Sequence, residues 1–207
     1  MTYIFDFDGT LVDSMPTFAD AMVRIFQKEG LPLPDDFIKI ITPLGYKGTA
    51  QYAIQCGYTK DIDTFVANAA EAMVPAYLYE IPLKNDVYEK LQQLRQAGHS
   101  LNVLTASPHV VLDPCLKRVG VYELFDHIWS CEDFSLTKAD TLLYEKVAQA
   151  LHQELADCIF LDDNIGSVST AKKAGMTAVA VYDKSSEDMV EQMKAIADRY
   201  IYSFAEL

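Results

Sequence analysis

Five short β-rich runs separated by helical patterns constrain the fold of this 207-residue sequence more than any other feature. The runs are residues 2–7 (TYIFDF), 100–107 (SLNVLTAS), 127–131 (HIWSC), 157–163 (DCIFLDD) and 176–182 (MTAVAVY). Residues 86–97 carry apolar positions at helical spacing and stop at Gly98. Residues 109–120 read as a helix with a break near Pro114. Residues 137–151 read as a helix with Thr137 as N-cap, residues 165–175 as a helix stopped by Gly175, and Ser185–Asp198 as the last helix. Strand and helix in alternation predict a parallel, doubly wound α/β sheet of the Rossmann-like kind.

One block breaks the alternation. From Pro16 to Tyr79 every pattern is helical, so the sequence predicts an all-helical domain inserted after the first strand. The expected boundaries are 1–14 for the first part of the core, 15–80 for the insert and 81–207 for the rest. The joints fall near Val12–Ser14 and Glu80–Lys84.

In an open parallel sheet, ligands bind outside the carboxyl ends of the strands. Here the first run ends in Asp6-Phe7-Asp8-Gly9-Thr10, the second in Thr105-Ala106-Ser107, and the fourth in Asp162-Asp163-Asn164. Lys138 follows the third run, close to the same edge. Four carboxylates in one cleft repel each other unless a cation lies among them. Hard oxygen donors of this kind select Mg²⁺, which keeps sites open for waters and phosphate oxygens. A metal, a lysine and hydroxyls at helix starts together make an anion site. One carboxylate can attack phosphorus to form an aspartyl-phosphate. A second, two residues on, can protonate the leaving oxygen and later activate water. Gly9 lets the backbone approach the phosphate.

Composition narrows the partners. The chain has 17 basic and 30 acidic residues, a net charge of −13, which argues against nucleic acid or an anionic membrane as the partner. Cys56, Cys115, Cys131 and Cys158 form no CxxC pair and read as core residues of a protein in a reducing compartment. No signal peptide and no membrane-length apolar run are evident, so a soluble, cytoplasmic protein is expected. The oligomeric state is left open, and a monomer is compatible with the sequence.

These motifs resemble the haloacid dehalogenase superfamily, in its phosphatase branch with an α-helical cap, the group that includes phosphoglycolate phosphatases and β-phosphoglucomutases. DFDGTLVDS looks like the family's first motif, Thr105 in LTAS its second, Lys138 in LTKAD its third and FLDDN its fourth. AKKAGM also has the family's character, and the helical block sits where that family's cap sits. The resemblance implies Asp6 as nucleophile and metal ligand. It implies Asp8 as general acid/base, with its carbonyl on the metal. Asp163 would be the other direct ligand and Asp162 its support. Thr105 and Lys138 would hold the phosphoryl group, with backbone amides near Phe7, Gly9 and Ala106. Lys138 lacks the prolines that often follow it in the family, and Ser167 stands where many members have a further acid.

Bland readings remain for other residues. His109 reads as a surface histidine, and the tyrosines of PAYLYE as packing within the insert. A loop lysine such as Lys47, in the Gly-flanked stretch LGYKGT, is ordinarily solvated; the resemblance, whose family uses this part of the cap to meet the substrate, makes it the candidate for substrate contact. The expected activity is Mg²⁺-dependent hydrolysis of a small phosphorylated metabolite. A sugar-phosphate phosphomutase shares every core residue. A catalytically idle relative that binds a phosphometabolite is the non-enzymatic alternative, and a dehalogenase would need neither Asp8 nor the metal-binding acids.

Overall fold

The computed structural model describes the backbone of residues 1–207 and every side chain except that of Pro43. Six parallel strands form one sheet: β1 (Thr2–Phe5), β2 (Ser100–Thr105), β3 (His127–Ser130), β4 (Cys158–Asp162), β5 (Thr177–Val181) and β6 (Arg199–Ile201), in the order β3-β2-β1-β4-β5-β6. β1 is therefore central. Its Phe5 lies opposite Val103 of β2 and Leu161 of β4, which brings the carboxyl ends of three strands to one edge.

Both faces of the sheet are covered, as parallel sheets require. The two-residue period sorts the side chains. Tyr3, Phe5, Val103, Ile159 and Leu161 join a large core on one face, while Ile4, Leu104 and Phe160 join a second core on the other. The first face is packed by α5 (Val87–Gln96) and α6 (His109–Arg118). The second is packed by α7 (Thr141–Ala150), through Leu143, Tyr144 and Val147. α8 (Ile165–Ala174) and α9 (Val190–Ile196) cover Ala178 and Ala180 of β5.

Four helices intervene between β1 and α5: α1 (Met15–Lys28), α2 (Phe37–Ile41), α3 (Gly45–Gln55) and α4 (Ile62–Tyr79). α1 buries Phe18, Met22 and Phe26 at spacing four, and α4 buries Phe65, Ala69 and Met73 at the same spacing. Phe26 is the hub, with its ring 4.5 Å from Phe37 and 6.2 Å from Phe65. The two connections to the sheet pair with each other. Val12 bridges Leu83, the Asp13 amide donates to the Pro82 carbonyl at 3.0 Å, and the Lys84 amide donates to the Leu11 carbonyl at 2.9 Å. Arg118 of α6 donates to the carbonyls of Tyr77 and Ile81 and fastens the end of α4 to the sheet layer.

Four local expectations change. α6 runs unbroken through Pro114; the carbonyl of Val110, which loses its amide partner there, belongs to an exposed residue and can be met by solvent. α7 starts at Thr141 rather than Thr137. The Asp140 carboxylate accepts from the Thr137 amide and hydroxyl, which closes a turn there and leaves Lys138 just ahead of the helix. Lys47 lies in the first turn of α3, not in a loop; the positive φ of 60° that Gly allows falls at Gly45, where the helix begins. The last helical segment divides into a 3₁₀ stretch, Lys184–Met189, and α9, and is followed by the unforeseen edge strand β6.

Candidate active site

β1, β2 and β4 end at a cavity of about 410 Å³. Asp6, Asp8, Thr105, Ala106, Lys138, Asp162 and Asp163 all line it, so one cleft collects residues drawn from four separate stretches of sequence. Lys138 is the hub of the charge. Its ammonium is buried between the Asp6 carboxylate and Asp162 Oδ2, the latter at 2.7 Å. Burial opposes its charge, but Asp162 and Asp6 outweigh that and hold its pKa well above the usual lysine range.

The two oxygens of each acid are used differently. Asp162 is fully buried and has a donor on each oxygen: Oδ2 accepts from Lys138 and Oδ1 from the Asn164 amide at 2.7 Å. Asp163 Oδ1 accepts from the Thr10 hydroxyl at 3.1 Å. Among these acids, Asp6 Oδ2 and Asp163 Oδ2 are the oxygens that accept from no protein donor, and so the most open to a ligand. Asp6, Asp162 and Asp163 each place an oxygen within 4.8 Å of the others. Such a set of hard, buried donors fits a divalent cation. The electrostatics point the same way. Burial raises the Asp6 pKa to about 7, helped by Asp162 and Asp8 and opposed by Lys138. Burial also raises that of Asp163 well above the carboxylate range, with Asp162, Asp6 and Asp183 adding and Lys84 opposing. A cation among these oxygens would relieve both.

Gly9 is backed directly by this cluster. Its φ is +74°, and a Cβ built there would collide with the Asp163 carboxylate, 2.7 Å from Cγ. Lys84, where the insert returns to the core, donates to the Gly9 and Tyr182 carbonyls, each at 2.6 Å, and pairs with Asp183 at 3.0 Å. It ties the loop after β1 to the loop after β5.

Asp8 is held from two sides. Ser107 Oγ donates to its Oδ2 and Tyr77 Oη to its Oδ1, both at 2.5 Å. Tyr77 is buried at the end of α4 and stacks on Phe7 with ring centres 5.8 Å apart. Burial and the charge of Asp8 raise its pKa well above the usual range, so the phenol keeps its proton and donates. Thr105 Oγ1 accepts from the Ser107 amide at 3.0 Å and shapes the turn that presents Ser107.

Tyr77 was legible only as packing, because its helical spacing is that of a core residue; nothing in the sequence signals the contact with Asp8. Lys47 is exposed and is not among the cavity's lining residues. The same segment contributes Thr42, Leu44, Gly45 and Tyr46 instead, and α2 contributes Lys39. Ser167 lines the cavity, and its carbonyl accepts from Tyr144 at 3.2 Å. His109 lies away from the cavity, between Asp113 at 2.8 Å and Asp133 at 2.9 Å, and its hydrogen bonds to them raise its pKa.

Residues 3–181 match the family model described as haloacid dehalogenase-like hydrolase. The chain is 27% identical over 179 residues to validoxylamine A 7'-phosphate phosphatase of Streptomyces hygroscopicus, covering 86% of this chain and 84% of that one. It is 26% identical over 215 residues to phosphoglycolate phosphatase of Caulobacter vibrioides, covering 100% and 88%. Among solved structures, CbbY of Rhodobacter sphaeroides in complex with phosphate superposes with a TM-score of 0.83 at 21% identity, covering 100% of this chain and 95% of that one; this likeness is one of fold.

Proposed function

The chain belongs to the haloacid dehalogenase-like hydrolases, and within that family we propose that it is a Mg²⁺-dependent phosphatase of a small phosphorylated metabolite. One observation supports this most: four aspartates meet at one strand edge, with Lys138 compensating two of them and one oxygen each of Asp6 and Asp163 left for a ligand. The names of the relatives agree with it. Bound by Asp6, Asp163 and the Asp8 carbonyl, with Asp162 holding Lys138 in place, Mg²⁺ would supply positive charge for the phosphoryl oxygens.

Asp6 attacks phosphorus, and the bond from phosphorus to the leaving oxygen breaks. Lys138 and the hydroxyl and amides near Thr105 and Ala106 hold the phosphoryl oxygens as charge builds on them. Asp8 gives its proton to the leaving oxygen. Water then attacks the aspartyl-phosphate, Asp8 takes the water's proton, and Asp6 is released with inorganic phosphate. The Ser107 hydroxyl suits both states of Asp8, since it can donate to the carboxylate or accept from the acid. The helices from 15 to 80 form a cap over this cleft, joined to the core through the paired segments at Leu11–Asp13 and Pro82–Lys84. Hydrolysis of p-nitrophenyl phosphate with and without Mg²⁺ tests the reading. Metal-dependent release of nitrophenol is expected, and full activity in excess chelator would overturn it.

A further inference from the structure

The phosphoryl end of the cavity is defined by aspartates and Lys138, but the wall beyond it restricts what the phosphoryl group can be attached to. Among the described residues, two further charged side chains line the cavity: Lys39 of α2 and Asp188 of the 184–189 turn. They approach each other to 3.5 Å from the insert and from the core. Lys39 is thus matched by a carboxylate, and Lys138 is already held by Asp6 and Asp162. A second anionic group on the substrate would find no uncompensated amine on this wall, in a chain whose net charge is −13.

The uncharged part of the wall is selective as well. Met15, Phe18, Leu44 and Met189 offer apolar surface. Thr42, Ser185 and Ser186 offer hydroxyls whose hydrogens are already committed. Thr42 donates to the Ile38 carbonyl at 2.7 Å, Ser185 to Asp183 Oδ1 at 2.5 Å and Ser186 to the Asp183 carbonyl at 3.2 Å. Each keeps acceptor capacity, and Ser14 Oγ, buried in the same lining without a partner, can donate or accept, so the matching ligand carries hydroxyls that do both. A polyol does this, and its C–H faces suit the apolar residues.

Building on the phosphatase reading, we infer that the leaving group is a neutral or amino-bearing polyhydroxy alcohol, and not a carboxylate or a second phosphate. A carboxylate would lie near Asp188 and Asp8 without a cation of its own, whereas hydroxyl or ammonium groups meet acceptors.

Glucose 6-phosphate and 6-phosphogluconate share carbon chain and phosphate, and the second carries a carboxylate at C1. With Mg²⁺, kcat/KM should favour glucose 6-phosphate at least tenfold. Asp188→Asn leaves Lys39 unmatched, and that ratio should move toward 6-phosphogluconate by roughly two- to fivefold, the scale of an exposed ion pair. Asp188 is three-quarters exposed, so the chain should fold normally. Calorimetric binding of the two esters to the Asp6→Asn chain reads the same preference without turnover. An inert wild type with this binding order would sink the phosphatase reading and support the inference. A preference for 6-phosphogluconate in rate or binding, or an unmoved ratio in Asp188→Asn, would overturn the inference itself.

Discussion

Asp6→Asn should stabilise the metal-free chain while abolishing turnover. Burial raises the Asp6 pKa from 3.8 to about 7. For a carboxylate raised in this way, the favourable contribution is fully present below about pH 3.8 and is lost as pH rises through about 7. At pH 8 the ionised Asp6 therefore costs stability that the neutral amide does not. The rise corresponds to at most about 4 kcal/mol. Because the charges of Lys138, Asp162 and Asp8 act on Asp6 together, about 2–4 kcal/mol is the expected range. For a chain of this length that is a gain of roughly 5–10 °C in Tm. The assay is thermal unfolding of both chains in excess chelator at pH 5, 6, 7 and 8. The variant's advantage should grow across that series, and Mg²⁺ should raise the wild type more than the variant. A variant no more stable than the wild type at pH 8 in chelator would refute the reasoning.

Three further outcomes follow from the geometry. Asp8→Asn should let the aspartyl-phosphate form with reactive aryl esters but slow its hydrolysis by at least a hundredfold, seen as a burst without turnover. Tyr77→Phe keeps the ring on Phe7 and removes one donor to Asp8; loss of a hydrogen bond to a charged group, about 1.5–3 kcal/mol, should lower kcat roughly tenfold or more with little change in KM. Gly9→Ala forces a Cβ into the Asp163 carboxylate at a left-handed φ, so it should lose about 1–3 kcal/mol of stability and bind Mg²⁺ more weakly by titration calorimetry.

The parallel sheet and its acidic edge could be read from the chain because β1, β2 and β4 are apolar runs that stop at polar residues, a pattern that fixes both burial and direction. Helices α1 and α4 were legible for the same reason, since Phe18, Met22, Phe26 and Phe65, Ala69, Met73 keep helical spacing. β6 was not, because three residues, Arg199-Tyr200-Ile201, carry no period; pairing with β5 makes them a strand. Lys138 reads as a helix residue until the Thr137–Asp140 turn displaces the helix start. Tyr77 and Lys39 lie outside local reasoning altogether. Each acquires its place through an element distant in sequence, Tyr77 through Asp8 and Lys39 through Asp188. The glycines beside Lys47 mark the start of α3, whose first turn places Tyr46 at the cavity and leaves Lys47 in solvent.

Phosphoryl transfer to Asp6 is the central step, and one measurement addresses it directly. The wild-type chain is mixed with Mg²⁺ and ³²P-labelled aryl phosphate, quenched in acid, reduced with borohydride and digested. An acyl phosphate on Asp6 predicts acid-stable label on the intact protein before reduction and homoserine at position 6 after it. Rapid turnover with no label on the protein at any quench time, and aspartate unchanged at position 6, would contradict it.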